Sequence, residues 1–410
     1  MEYDNMCLQP SSMKTTGRLK QRSLSILFLC ILVTSICSCS KHKVNTIRTI
    51  DLTGDLNRTE NLYLSAIASK IDYIKLESGP ASYISQIDQI KIGKKFIIIK
   101  DNMQDLLFLF DINGKFIRRI SNKGNGPLEY NKIHCIDFDE EEKFIYITTY
   151  NGYIKKFSIE GEFVKSLKLQ FIPGIVDYWN KENFALIFPY PSNLRFDNFT
   201  FGKMKFDGQI SQKFLKRNLK ILTETVPQAH PTDYFYYDTL CFWEKYCDTI
   251  YGVTKDNKLI PRWYLKDRQT SKSETENIQK VLALNPKNGD LYVYGFIESP
   301  TQFFIKAVYG GKRHYMIYNK ESSQCYKLPI TQYEPGYIND LDGGFPFFPN
   351  GFYDGKLYQV IETSTLKQLK SEGYLSKIPI KDLNSAKVLE NLLLKIDIND
   401  NPMITIVTLK

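Results

Sequence analysis

Apolar and polar residues alternate with a period of two along most of this chain, and tight turns break the alternation at a nearly fixed interval. Three stretches show it most clearly: Phe110-Asp111-Ile112-Asn113-Gly114, Phe157-Ser158-Ile159-Glu160-Gly161 and Met204-Lys205-Phe206-Asp207-Gly208. Their glycines are 47 residues apart both times. A period of two is a strand signal, and alternation running into Asn-Gly or Asp-Gly predicts a hairpin, with type I′ turns expected because glycine tolerates positive φ. A second alternating strand follows each glycine: Lys115 to Ile120, Glu162 to Leu169 and Gln209 to Leu215. Pure strand pattern at a pitch of about 40 to 50 residues belongs to a four-stranded propeller blade, since solenoids of that pitch are helical.

The chain divides into six such groups. The first three start at Ile87, Ile133 and Ile175 and are well marked. A fourth, Tyr236 to Leu265, is looser and places Asn257 where the glycine stood; Asn accepts the same left-handed conformation. A fifth covers Leu291 to Leu328, and a fragmentary sixth joins Phe352 to Val360 with Met403 to Leu409. The spare strand Ile71 to Leu76 is expected to pair with the strand after Pro402 and shut the ring, which leaves no open sheet edge. Helices are predicted over Val360 to Ser371 and Leu383 to Lys395, and Ser271 to Leu284 is helix-compatible. The expected fold is all-β, a six-bladed β-propeller with four-stranded blades and minor helical insertions.

The N-terminus carries a different signal. Ser23 to Cys37 is an apolar run of signal-peptide length behind Lys14, Arg18, Lys20 and Arg22, too short for a comfortable transmembrane helix. Ile36-Cys37-Ser38-Cys39 follows and resembles the bacterial lipobox, with Cys39 as the lipidated cysteine. The implied layout is a signal peptide over residues 1–38, with Met13 as an alternative start, a lipidated cysteine and tether over 39–60, and the propeller over 61–410. Several acyl chains on Cys39 suffice to hold a protein on a membrane it does not span. Ser40 is not the aspartate of inner-membrane retention, so the outer membrane is expected, facing either the periplasm or the exterior.

Composition narrows the chemistry. Aromatic residues make up 14% of the chain, with 27 Tyr and 26 Phe, and packing between blades accounts for most of them. The formal charge is +9, but no dense Lys/Arg run exists, so no nucleic-acid partner is expected. His134, His230 and His314 have no partner at metal-ligand spacing, and HExxH, CxxC and Gly-x-Ser-x-Gly motifs are absent. Neither a metal nor a cofactor is expected. Beyond Cys39 the chain keeps Cys135, Cys241, Cys247 and Cys325; Cys241 and Cys247 are near enough to pair across a tight turn in an oxidising compartment, with buried free thiols as the alternative. Asp137, Asp139, Glu140, Glu141 and Glu142 read as a solvated acidic hairpin tip.

Gly124-Asn125-Gly126-Pro127-Leu128-Glu129-Tyr130 is an inter-blade loop and no P-loop, since no Lys-Ser/Thr follows. Together with the Phe-Asp-x-Asn-Gly hairpins, Asn339-Asp340-Leu341-Asp342-Gly343-Gly344 and Asp400-Asn401-Pro402-Met403, it resembles the bacterial six-bladed β-propeller lipoproteins related to NHL-repeat proteins, over roughly residues 70 to 410. The resemblance implies a six-bladed funnel and an envelope lipoprotein, and it implies no established activity. Glu129, Tyr130, Asn339, Asp340 and Asp342 are the binding candidates. Asp340 and Asp342 suggest a calcium loop only faintly, because the closing bidentate Glu is missing and a turn explains them better. The aromatic runs 234–237 and 345–348 would stack on sugar rings at a funnel mouth or pack blades. The expected function is a non-enzymatic binding or scaffolding module, membrane-tethered, for a glycan, peptide or envelope partner. The alternative is a glycan-active hydrolase or lyase with acids gathered in the channel from separate blades.

Overall fold

The structure, a computed structural model, describes residues 47–54, 59–120, 123–126, 128–141, 143–188, 196–216, 232–236, 239–244, 247–254, 256–266, 291–329, 335–373 and 378–410. The apolar segment, Cys39, His230 and the helix-compatible stretch 271–284 lie outside the described residues. Among those described, no helix is long and apolar enough to cross a membrane.

Two early strands, β1 (Arg48–Asp51) and β2 (Ala68–Lys75), join blades formed much later in the chain. Blade one is β3 (Ile87–Ile92), β4 (Phe96–Asp101), β5 (Leu107–Asp111) and β6 (Phe116–Arg119). Blade two is β7 (Ile133–Asp139), β8 (Phe144–Thr149), β9 (Tyr153–Ser158) and β10 (Phe163–Lys168). Blade three is β11 (Ile175–Asn180), β12 (Asn183–Ile187), β13 (Phe199–Lys205) and β14 (Ile210–Lys216). Blade four is β15 (Thr232–Tyr236), β16 (Thr239–Trp243), β17 (Thr249–Val253) and β18 (Leu259–Lys266). Blade five is β19 (Leu291–Glu298), β20 (Gln302–Tyr309), β21 (Lys312–Asn319) and β22 (Gln324–Lys327). Blade six is β23 (Gly351–Tyr353), β24 (Lys356–Ile361) and β25 (Met403–Leu409), completed by β2. The six antiparallel sheets form the ring of a six-bladed β-propeller.

Burial explains the strand sequences. Second strands such as β4 and β8 are covered on both faces and read almost continuously apolar, whereas the outermost β6 and β10 are largely exposed and carry Arg and Lys. The core lies between blades. Ile98 and Leu109 of blade one pack on Ile136, Ile145 and Ile147 of blade two, and Ile97, Ile99 and Phe108 pack on Ile404 and Ile406 of blade six.

The ring closes as the spare strand suggested, with β2 paired antiparallel to β25 from Ala68↔Leu409 to Lys75↔Met403. Asn401 locks the seam from a fully buried position: its amide nitrogen donates to the carbonyls of Glu77 and Ser82, and its Oδ1 accepts the Ile84 amide at 2.8 Å.

Two expectations about the chain's local structure are corrected. The hairpin turns are not type I′: of Asn113 and Gly114 only Gly114 has positive φ, +85°. Gly114 donates to the Asp111 carbonyl and Asp111 to that of Lys115, a three-residue loop ending in a glycine bulge. Asn257 takes the left-handed conformation at φ 60°, as its position predicted. The recurring glycine has a second cause, for it meets the end of the outer strand of the preceding blade. A Cβ on Gly114 would run into the Lys75 carbonyl, one on Gly208 would lie 3.0 Å from Leu167, and one on Gly161 3.6 Å from Arg118.

The second correction concerns the tether. Residues 48–51 are not spacer: β1 lies parallel to β18 as a fifth strand on blade four, with Arg48 opposite Trp263 and Ile50 opposite Leu265. Ile50 and Leu52 are fully buried, so the folded body starts at Ile47 and not at residue 61. From there the chain straps the rim, bridging Thr59 to Lys327 of blade five and Tyr63 to Ile338 before entering β2.

Helices α1 (Thr363–Ser371) and α2 (Leu383–Lys395) are inserted between β24 and β25 and share a small core of Leu366, Leu369, Leu389 and Leu393. β24 runs on to Ile361, so α1 starts later than the expected Val360; α2 has the expected bounds, with Asp382 capping the amides of Asn384 and Ser385.

Candidate functional site: the central channel

The first strand of each blade is innermost: β3 touches β7, β7 touches β11, and β19 touches both β15 and β23. All of them run in one sense along the axis, so the ring has an upper face where they begin and a lower face where they end. Among the described residues, inter-blade connections and second-to-third-strand loops lie above, and the remaining hairpins lie below.

The described residues enclose two chambers along the channel. The lower one, about 890 Å³, is lined by the later halves of the inner strands, including Phe138, Tyr178, Trp179, Phe352 and Tyr353. The upper one, about 730 Å³, is lined by the earlier halves, including Asp88, Gln89, His134 and Tyr150. Lys91, Asp177, Asn350 and Tyr358 border both and form the waist between them.

The waist gathers charge from three blades. Lys91 Nζ lies 2.9 Å from Asp177 Oδ1 and 3.4 Å from Asp137 Oδ1. Asp137 also accepts the amides of Phe138 at 2.9 Å and Tyr178 at 2.6 Å. Burial pushes the Asp137 carboxyl up to about 7; Lys91 pulls it down and the Asp177 charge adds to the rise. Burial works against the Lys91 ammonium too, but the two carboxylates outweigh it and hold its pKa above the ordinary lysine value. Tyr358, over Gly351, has its hydroxyl pushed up to about 12 by burial, against the nearby Lys91 charge.

In the upper chamber Lys100 is paired with Asp88, and Gln89 knits blade one to blade two, donating to the His134 carbonyl at 3.2 Å and accepting the Ile136 amide at 3.0 Å. Beside the lower chamber, Glu298 is fully buried between Arg262, which grips it at 2.7 and 3.0 Å, and Lys320 at 2.7 Å. This closes blade four onto blade five.

None of the five residues expected to bind lies in the channel. Glu129 closes the inter-blade loop on itself by accepting the Gly126 amide at 2.9 Å, and a Cβ on Gly124 would run into its carboxylate. Tyr130 is buried in the core between blades one and two. Asn339, Asp340 and Asp342 are buried and brace blade six: Asp340 takes Ser65 Oγ at 2.6 Å and Lys381 at 2.8 Å, Asp342 takes the Tyr73 hydroxyl at 2.6 Å, and the Asn339 carbonyl accepts the Gly343 amide. Each carboxylate is occupied by the fold.

Cys241 and Cys247 are not joined. Cys241 Sγ sits 2.9 Å from Arg262 Nη1 and Cys247 Sγ 3.5 Å from Glu244 Oε2, so the two thiols engage different partners. Among the described residues no cluster of His, Cys, Asp and Glu is arranged to hold a metal. The acidic stretch is not a solvated tip throughout: Asp137 reaches the channel, Asp139 is buried, and Glu140 caps the Lys94 and Lys95 amides of blade one, leaving Glu141 outside. Phe345, Phe347 and Phe348 are buried packing residues, and the side chains of 234–237 are not among those described. The aromatic mouth is made instead by Tyr178, Trp179 and Tyr353. Asp177-Tyr178-Trp179 on a first strand was the available signal.

No curated protein matches the sequence. Among solved structures, one described as an exported protein from Bacteroides fragilis NCTC 9343 superposes with a TM-score of 0.68 at 17% identity, covering 89% of this chain and all of that one. A member of the DUF4221 family from Bacteroides vulgatus ATCC 8482 gives 0.48 at 11% identity, over 86% of this chain and 99% of that one. The first likeness speaks for the fold alone. The family described as "Domain of unknown function (DUF4934)" matches residues 47–408, from the first residue of the folded body to the next-to-last residue of the closure strand, and the chain belongs to that family.

Proposed function

We propose that this protein is an exported, envelope-tethered binding propeller whose lower chamber takes a saccharide. The lipobox-like Cys39 and the exported description of its structural neighbour support the location. The observation that carries the ligand class is the lower chamber itself. Its volume suits a small oligosaccharide, its wall offers the partly exposed rings of Tyr178, Trp179, Phe352 and Tyr353, and its floor offers the charged waist. Flat apolar rings against sugar faces, with polar groups at one end to fix orientation, are what saccharide recognition requires. Titration of the protein with a panel of neutral and acidic oligosaccharides, read by tryptophan fluorescence, tests the reading. Binding is expected, and Trp179→Ala with Tyr353→Ala should weaken it at least tenfold without unfolding the protein. A panel with no binder, or a binder indifferent to both substitutions, removes the proposal.

The enzymatic alternative has one observation in its favour, two carboxylates in the channel with one pushed up to about 7. Both oxygens of Asp137 are, however, already engaged by backbone amides and Lys91, and Asp177 is paired to the same ammonium. This is the arrangement of a clasp between blades. Release of reducing or unsaturated ends by the wild-type protein, lost in both Asp137→Asn and Asp177→Asn, would establish catalysis instead.

A further inference from the structure

The exposed apolar side chains are distributed unevenly over the ring. Among the described residues, every exposed large hydrophobic in a loop between blade strands belongs to the upper face. Over blades one to three they sit at five separate loop tips: Tyr83 (50% exposed), Met103 (72%), Leu128 (57%), Tyr150 (50%) and Ile172 (46%). The loops adjoin one another. Gln104 donates to the Tyr83 carbonyl, Lys123 reaches Asp105 at 3.7 Å, Lys132 lies over Tyr150 at 4.9 Å, and Ile172 lies against Gly152. They form an arc of loop tips, whereas on the lower side the exposed apolar residues Ile117, Val164 and Ile260 lie within the fourth strands of their blades, just after the hairpins.

We infer that this arc docks on an anionic phospholipid surface. Separate tips on short, well-braced loops suit shallow insertion between headgroups; a peptide or protein helix would call for a groove. The charges between the tips agree. Lys123, Lys132 and Lys168 are exposed on the arc. Most carboxylates of the same loops are turned into the fold: Asp101 is held by Ser85, Asp105 accepts the Ile133 amide, and Glu129 accepts that of Gly126, while Glu77 stays exposed with one oxygen on the Phe116 amide. An outward face of apolar tips and lysines complements acidic headgroups. Docked this way, the ring turns its upper chamber to the bilayer and leaves its lower chamber open.

Hydrogen–deuterium exchange of the full chain tests the inference, because it reads each loop separately from any attachment through the N-terminus. On vesicles of phosphatidylethanolamine with phosphatidylglycerol, amides of 102–105, 124–126, 128–129 and 150–152 should slow roughly fivefold, with the hairpins 112–114 and 159–161 unchanged. High salt and phosphatidylcholine vesicles should diminish the protection. The double variant Met103→Asp, Leu128→Asp should lose it while keeping the wild-type exchange pattern in solution. Bound protein with unprotected upper loops, equal protection on both faces, or no vesicle association would each overturn the inference. Saccharide binding in the lower chamber stands or falls separately, since its readout uses no lipid.

Discussion

Lys91 of blade one reaches Asp177 of blade three across 2.9 Å, with Asp137 of the intervening blade on the same ammonium. Three consecutive blades thus meet at one cation on the axis. The cation stays charged, while the Asp137 carboxyl, ordinarily at 3.8, is pushed up to about 7 by burial.

That shift sets a pH dependence. Between 3.8 and about 7 the folded protein holds a proton on Asp137 that the unfolded chain has released, so this group's contribution falls as pH rises through that window and levels off above it. Asp342 and Glu362, also raised by burial, slope the same way; Asp101, Asp340 and Asp400 are held low and act in more acid solution. Urea unfolding at pH 5 and pH 8 should therefore show a smaller loss of stability with pH in Asp137→Asn than in the wild type. An equal loss in both proteins refutes the assignment.

The seam predicts a large effect from one small side chain. Asn401→Ala removes one acceptor and two donors from a fully buried site, leaving the Ile84 amide and the Ser82 carbonyl unsatisfied while the Glu77 carbonyl keeps the Ser82 hydroxyl. A loss of about 3 kcal/mol is expected in denaturant unfolding, and limited proteolysis should cut first near residues 76–86.

Two glycines of the repeat separate conformational strain from contact. Gly114 and Gly161 share a φ of +85°, but only at Gly114 does a Cβ run into backbone. Gly161→Ala should cost about 1 to 2 kcal/mol for strain, and Gly114→Ala distinctly more. Equal losses would mean that the contact with blade six is not tight.

Glu298→Gln keeps the shape of a buried carboxylate and removes its charge from between Arg262 and Lys320. Breaking a buried pair this way costs about 3 to 5 kcal/mol. Far smaller losses in thermal and urea unfolding would show that water reaches the two cations.

The blades were legible because strand alternation and turn glycines act locally. Each hairpin is determined within a dozen residues, and even the closure strand announced itself as a surplus. β1 was hidden by its length. Arg-Thr-Ile-Asp carries two apolar or β-branched positions and no turn, and it is a strand only because Trp263 and Leu265 await it more than two hundred residues away. The channel was hidden for a related reason: Lys91, Asp137 and Asp177 stand on different blades at ordinary strand positions, and nothing local separates an axial charge from a solvated one. The loops with recognisable composition, 124–130 and 339–344, drew attention away from the channel. Their polar residues serve tight turns and braces, where buried amides need acceptors.

The seam of blade six also imposes an order in time. β2 is made early, yet its partner β25 follows every other described strand, and β25 separates β24 from β2. Until residues 403–409 arrive, both neighbours present unpaired apolar edges. A chain emerging in sequence order therefore remains an open string of blades and becomes a ring only when β25 joins β24 to β2.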